Sequence, residues 1–178
     1  MESTLIIIRG NSGSGKTTTA KYLQKYLGHG TLLVSQDTVR RDMLKVHDRD
    51  GNLSIDLIRQ IAEYGKGTCE YVIVEGILAK KRYGEMLLQL INFFDHKAFT
   101  YYFDLSFAET VRRHNASPKK SDFGVDSLKR WWVADDKLGL EGEALIRDDM
   151  TESDVFHLIT GHLSTVMERS LDEEINNG

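Results

Sequence analysis

The chain has 178 residues, 40% of them hydrophobic and 28% charged, with a formal net charge of −4. That is the length and balance of one soluble globular domain, and it weighs against a basic protein that coats nucleic acid. A single cysteine, Cys69, excludes an intrachain disulfide and argues against a thiolate zinc site.

Short apolar runs alternate with helical patterns along the chain. Thr4–Arg9, with three consecutive isoleucines, reads as a buried strand. Lys16–Leu27 reads as a helix, with Ala20, Leu23 and Leu27 at helical spacing. Thr31–Ser35 is a second strand, and Thr38–Val46 and Ser54–Tyr64 look helical. Tyr71–Glu75 is a third strand, Lys80–Phe94 a long amphipathic helix, and Ala98–Phe103 an aromatic strand. A helix is expected from Ser106 to about Asn115, capped by Asp104 or Ser106. Asp126–Val133 reads as helical and Glu143–Arg147 as a fifth strand. Thr151–Asp154 resembles a capping box that opens a C-terminal helix.

The strands are continuous apolar runs, as strands buried on both faces require. The expected fold class is therefore α/β, a three-layer arrangement with a parallel sheet between helices, forming one domain over residues 1–178. Ligands in such folds bind beyond the carboxyl ends of the strands. Leu5–Ile8 is too short for a signal peptide, and no apolar stretch approaches the roughly 20 residues of a membrane helix. The expected location is cytoplasmic, with no membrane partner.

The first strand runs into Gly10-Asn11-Ser12-Gly13-Ser14-Gly15-Lys16-Thr17, followed by Thr18, a full match to the Walker A phosphate loop. Glycines let backbone N–H groups face a phosphate, and the following helix adds its positive end. Lys16 would reach the β- and γ-phosphates, and the Thr17 hydroxyl would ligate Mg²⁺. The implied ligand is a nucleoside triphosphate, ATP being the expected one.

Asp37 follows the second strand. It can act as a general base toward an attacking hydroxyl or help hold Mg²⁺, or it can cap the helix that follows. Arg40 and Arg41 can bind an anionic acceptor or a phosphate, or serve as solvated helix charges. Glu75 ends the third strand at the Walker B position, where it can orient water on Mg²⁺ or help position the acceptor. Residues 112–130 carry Arg112, Arg113, Lys119, Lys120, Lys129 and Arg130 against only Asp122 and Asp126. Pro118 and Gly124 fall inside this basic stretch, and Trp131 and Trp132 follow it. Arg147-Asp148-Asp149 is a candidate adenine contact. His114, His157 and His162 lack metal-ligand spacing and read as ordinary helix residues.

The phosphate loop, Asp37 with its arginines, and the Arg112-Arg113 pair together resemble the small-molecule P-loop kinases. That group includes chloramphenicol phosphotransferase, gluconate kinase and the zeta-toxin kinases. The stretch from Asp104 to His114 is similar to the segment leading into the lid of that group. Phe123-Gly124 and Arg130-Trp131-Trp132 resemble uncharacterised, uridine-kinase-like bacterial members. The resemblance spans roughly residues 4–160. It implies a P-loop NTPase fold, with five parallel strands, the P-loop strand in the middle and a helical lid at about 112–132. It also implies catalytic roles for Lys16, for Asp37 as general base, and for Arg112 or Arg113 at the transferring phosphate, with Arg112 placed first. The implied activity is ATP- and Mg²⁺-dependent phosphotransfer to a hydroxyl of a small molecule. Acceptor pockets vary across the group, and no acceptor signature is present here. A kinase of a nucleic-acid 5′-hydroxyl or a charged tRNA is the second reading, and an ATP-binding toxin or sensor the third. Oligomeric state has no signature in the sequence.

Overall fold

The computed structural model describes residues 2–117 and 121–176, with side chains as far as residue 165. Pro118, Lys119 and Lys120 therefore lie outside the described residues. The chain divides into two compact units, Met1–Asp148 and Asp149–Gly178.

The first unit is built on five parallel strands: β1 (Thr4–Gly10), β2 (Leu32–Ser35), β3 (Tyr71–Gly76), β4 (Ala98–Phe103) and β5 (Ala144–Ile146). Their order across the sheet is β2-β3-β1-β4-β5. β1 is thus central, with β3 on one side and β4 on the other, and Ile6 lies level with both Ile73 and Phe99. Chain direction across the sheet reverses at β1, so the loop after it opens at the topological switch point.

Burial follows from this layering. Leu5, Ile6, Ile7 and Ile8 are all fully buried, because alternate residues face opposite helical layers. Leu5, Ile7, Val72 and Val74 pack with residues of α2 (Ser54–Gly65) and α3 (Lys80–Phe93), among them Ile58, Ala62, Leu87 and Leu90. The opposite face takes α1 (Lys16–Leu27), which lies on β1, β2 and β3 and buries Ala20 and Leu23. Gly65 makes the α2 contact close: a Cβ there would stand 2.4 Å from a Val72 methyl.

α4 (Phe107–Ala116) follows β4, and α5 (Val125–Trp131) packs against it. Of the two cap candidates, Ser106 accepts from the Glu109 N–H at 3.1 Å, while Asp104 pairs with Arg147 at 3.9 Å. The helix expected over Thr38–Val46 is one wide π-helical turn, Thr38–Met43. The Leu44 N–H reaches the Val39 carbonyl, and Lys45 then takes a left-handed φ of 53° that stops propagation.

The second unit is helix α6 (Glu152–Asn176) with its cap. Asp154 Oδ2 accepts from the Thr151 N–H, and Thr151 Oγ1 accepts from the Asp154 N–H, the reciprocal pairing of a capping box. No helix among the described residues is long and apolar enough to cross a membrane.

Candidate active site

The phosphate loop turns sharply as it leaves β1. Gly10 is required by close approach, since a Cβ would stand 2.7 Å from that of Phe103. Gly13 and Gly15 have φ of 80° and 105°, a left-handed conformation that side chains disfavour. Gly15 is also the N-cap of α1, so the helix begins at Lys16 and its amides face the loop. Lys16 is buried, and its Nζ donates to the Asn11 carbonyl at 2.6 Å and to Ser14 Oγ at 3.2 Å. The loop thus holds the ammonium over its own concave side. Ser12 is half-buried beside it and Thr18 is exposed on α1.

Sheet register assembles the next element. Ser35 and Glu75 are level on β2 and β3, so their side chains share a face. Ser35 Oγ donates to Glu75 Oε1 at 2.6 Å. Thr17 Oγ1, coming from α1 on that face, donates to Glu75 Oε2 at 3.2 Å. Both oxygens of a buried carboxylate are therefore occupied by hydroxyls. No cluster of three or more His, Cys, Asp or Glu side chains suited to a metal occurs among the described residues. One hydroxyl and one carboxylate suit Mg²⁺, which keeps several waters and takes its remaining oxygens from substrate phosphates. Thr17 and Glu75 fit that pattern.

Asp37 lies beyond the end of β2. Its side chain makes no capping bond. Instead Oδ1 accepts from Arg40 Nη2 and forms an ion pair with Arg41 Nε, each at 3.1 Å. Arg40 is further tied to the Val46 carbonyl. Thr17, Ser35, Asp37, Arg41, Asp42 and Glu75 line one cleft of about 540 Å³, whose apolar wall includes Leu33, Met43 and Ile61. The cleft joins the Thr17–Glu75 pair to Asp37.

From α4, Arg113 turns toward the phosphate loop and Arg112 away from it. The Arg113 side chain is 13% exposed and Nη1 donates to the Ser14 carbonyl at 3.3 Å. The Arg112 side chain is 69% exposed. Helical phase decides this, and Glu109, one turn earlier, holds both guanidinium groups at 2.6–2.7 Å. Hydrogen bonds from Arg112 and then Arg113 lower the Glu109 carboxyl to a pKa of about 2. His114, expected as an ordinary helix residue, is buried. Its ring stacks on Phe123 at 4.6 Å, and its Cβ sits where a Gly13 side chain would need to be. The tryptophans pack at the base of this region, Trp131 edge-on to Phe123 and Trp132 edge-on to Phe107.

The sequence pattern of the AAA domain family matches residues 5–125. The chain belongs to that family. The matched part of this AAA domain runs from β1 to the first residue of α5 and holds the phosphate loop, Asp37, Glu75 and both α4 arginines. No curated protein sequence matches the chain. Among solved structures, the AAA domain is similar to a gluconokinase from Sinorhizobium meliloti, with a TM-score of 0.68 and 14% identity over 97% of this chain and 98% of that one. It is similar to the APS kinase of Mycobacterium tuberculosis, with a TM-score of 0.64 and 13% identity over 92% and 98%. It is also similar to the tunicamycin resistance protein of Deinococcus radiodurans, with a TM-score of 0.61 and 15% identity over 90% and 95%. The fold is therefore the α/β fold of P-loop kinases.

Several side chains that build the site carried no signal in the sequence. Ser35 reaches Glu75 only through strand register. Arg9 ends an apolar run, yet it is wholly buried and bonds the Leu78 carbonyl through Nε and Nη2 at 3.1 and 2.9 Å. It also pairs with Asp136 at 3.0 Å and Glu143 at 3.6 Å. Burial lowers its pKa, and the two carboxylates oppose that shift. Glu109 is visible afterwards as an acid spaced one turn before two arginines.

Proposed function

We propose that this AAA domain is an ATP- and Mg²⁺-dependent phosphotransferase acting on the hydroxyl of a small molecule. The observation that carries the reading is the single cleft shared by Thr17, Glu75 and Asp37, beside a complete phosphate loop. The kinase fold of the structural relatives supports it.

In this reading the loop amides and the N-terminus of α1 bind the β- and γ-phosphates. Lys16 leaves the Asn11 carbonyl for phosphate oxygens. Thr17 and Glu75 hold Mg²⁺, which when bound neutralises charge on the phosphates. The acceptor enters the cleft with its hydroxyl toward Asp37. Asp37 takes the hydroxyl proton as the acceptor oxygen bonds the γ-phosphorus and the bond to the β–γ bridging oxygen breaks, leaving ADP. Arg113 supplies positive charge from the lid side, with Arg112 one residue further from the loop. Arg40 and Arg41 set the orientation of Asp37, and either can meet an anionic group on the acceptor.

The test is a phosphotransfer screen with ATP and Mg²⁺ against nucleosides, sugars, aminoglycosides and phenicols, read by mass spectrometry. A phosphorylated product that disappears with Asp37→Asn, while ATP binding persists, is the expected result. ATP binding with no acceptor phosphorylated would favour a sensor, and salt-sensitive binding of short oligonucleotides would favour a nucleic-acid acceptor.

A further inference from the structure

The Walker A pattern accepts any side chain at its second position. Here that position is Asn11, and its side chain is buried. It turns away from the concave side of the loop. Nδ2 donates to the Val133 carbonyl at 2.7 Å, and Oδ1 accepts from the Val133 N–H at 2.9 Å. The pairing itself orients the amide, because an N–H needs an acceptor and a carbonyl a donor. The side chain thus acts as a short piece of backbone, paired in both directions with one residue.

Val133 follows the C-cap of α5, the last helix of the segment expected as a lid. α5 ends at Trp131, and Trp132 is extended with φ −62° and ψ 127°. The backbone leaving a helix needs new partners there, and Asn11 meets both groups of Val133. Three residues on, Arg9 Nη2 bonds the Asp136 carbonyl and carboxylate, each at 3.0 Å. Segment 133–136 is therefore pinned to the end of β1 at both ends. The carbonyl of Asn11 itself is the acceptor of Lys16 Nζ.

We propose that Asn11 is a positioning residue that anchors the C-terminal root of the lid to the phosphate loop and couples that root to a bound triphosphate. The anchor stands on the hydrogen bonds alone, and the coupling rests on the phosphotransferase reading. Lys16 moving to phosphate changes the hydrogen bonding of the same residue whose side chain carries the root.

The chain's two tryptophans, Trp131 and Trp132, immediately precede Val133, so intrinsic tryptophan fluorescence reports on this segment and its contacts with Phe123 and Phe107. Amide hydrogen exchange and tryptophan emission of wild type and Asn11→Ala are compared with and without AMP-PNP and Mg²⁺. In the variant, exchange at Val133 is expected to rise roughly tenfold, with β1 and β3 amides unchanged. AMP-PNP should shift wild-type emission but not that of the variant, which should bind about fivefold more weakly. Asn11→Asp, which keeps the acceptor and loses the donor, should exchange at an intermediate rate. Asn11→Ser carries the same test if Asn11→Ala does not fold. Wild-type exchange at Val133 in the variant overturns the anchor. Fast exchange with unaltered AMP-PNP affinity and emission response overturns the coupling. A wild-type protein that binds no AMP-PNP overturns the phosphotransferase reading and the coupling with it, while the exchange arm still judges the anchor.

Discussion

In the proposed phosphotransfer, Lys16 and Asp37 divide the chemistry between them, so their variants should fail differently. Lys16→Ala removes the cation nearest the phosphates and is expected to abolish turnover and weaken ATP binding, as titration calorimetry would show. Asp37→Asn keeps the shape of the side chain and loses the base. It should lower turnover about 10²–10⁴-fold with ATP affinity unchanged, and full activity would remove Asp37 from the role of base. Glu109 makes a separate statement about pH. Its carboxyl is held at about 2 against an ordinary 4.5, so the folded state favours the charged form. The stability this contributes is complete above about 4.5 and is lost as pH falls toward 2. A carboxyl titration of Glu109 by NMR should show a midpoint near 2, and a midpoint near 4.5 would mean that the arginine pairs do not persist in solution. The phosphate-loop residues were legible because the motif is contiguous and its chemistry local. The orientation of Arg113 was not, because two adjacent arginines differ only in helical phase.

Elements were legible where periodicity was strong. α1 and β4 run over the residues expected, since Gly15 and Gly28 delimit the helical stripe and the polar Lys97 and Asp104 delimit the apolar run. The segment after Asp37 was expected as a longer helix, and its wide turn arises from hydrogen bonds to Val39 and Arg40 that composition does not encode. The cap of α4 is a test at this level. Ser106→Ala removes the bond to Glu109 N–H and should cost about 1 kcal/mol in urea denaturation. In β1, Ile7 is fully buried between β3 and β4, and Ile7→Ala should cost about 2–5 kcal/mol by lost burial and cavity formation.

Arg9 joins parts of the first unit that are far apart in sequence: the end of β1, the loop after β3, and the segment from Asp136 to Glu143. It sits under the phosphate loop, two residues before Asn11. Removing one partner of a buried ion pair leaves the others uncompensated, and the Glu143 side chain is only 4% exposed. Arg9→Met should therefore cost about 3–5 kcal/mol, seen as a lower urea midpoint at unchanged slope. A double variant that also replaces Glu143 with Gln should recover part of the loss, since the stranded charge is gone. The charge distribution has the same character. The net −4 of the chain conceals a basic stretch at 112–130, and folding brings Arg113 of that stretch to the Ser14 carbonyl of the loop.

Strand and helix identity, the α/β class and the phosphate loop were written in local patterns: apolar runs, helical spacing and one contiguous motif. These signals need only neighbours within a few residues. The tertiary structure alone decided that Ser35 and Thr17 share Glu75, that Arg113 rather than Arg112 faces the loop, and that Asn11 holds Val133. Each of those depends on strand register, helical phase or a contact across more than a hundred residues, and such relations are set by packing the whole first unit rather than by any segment of it.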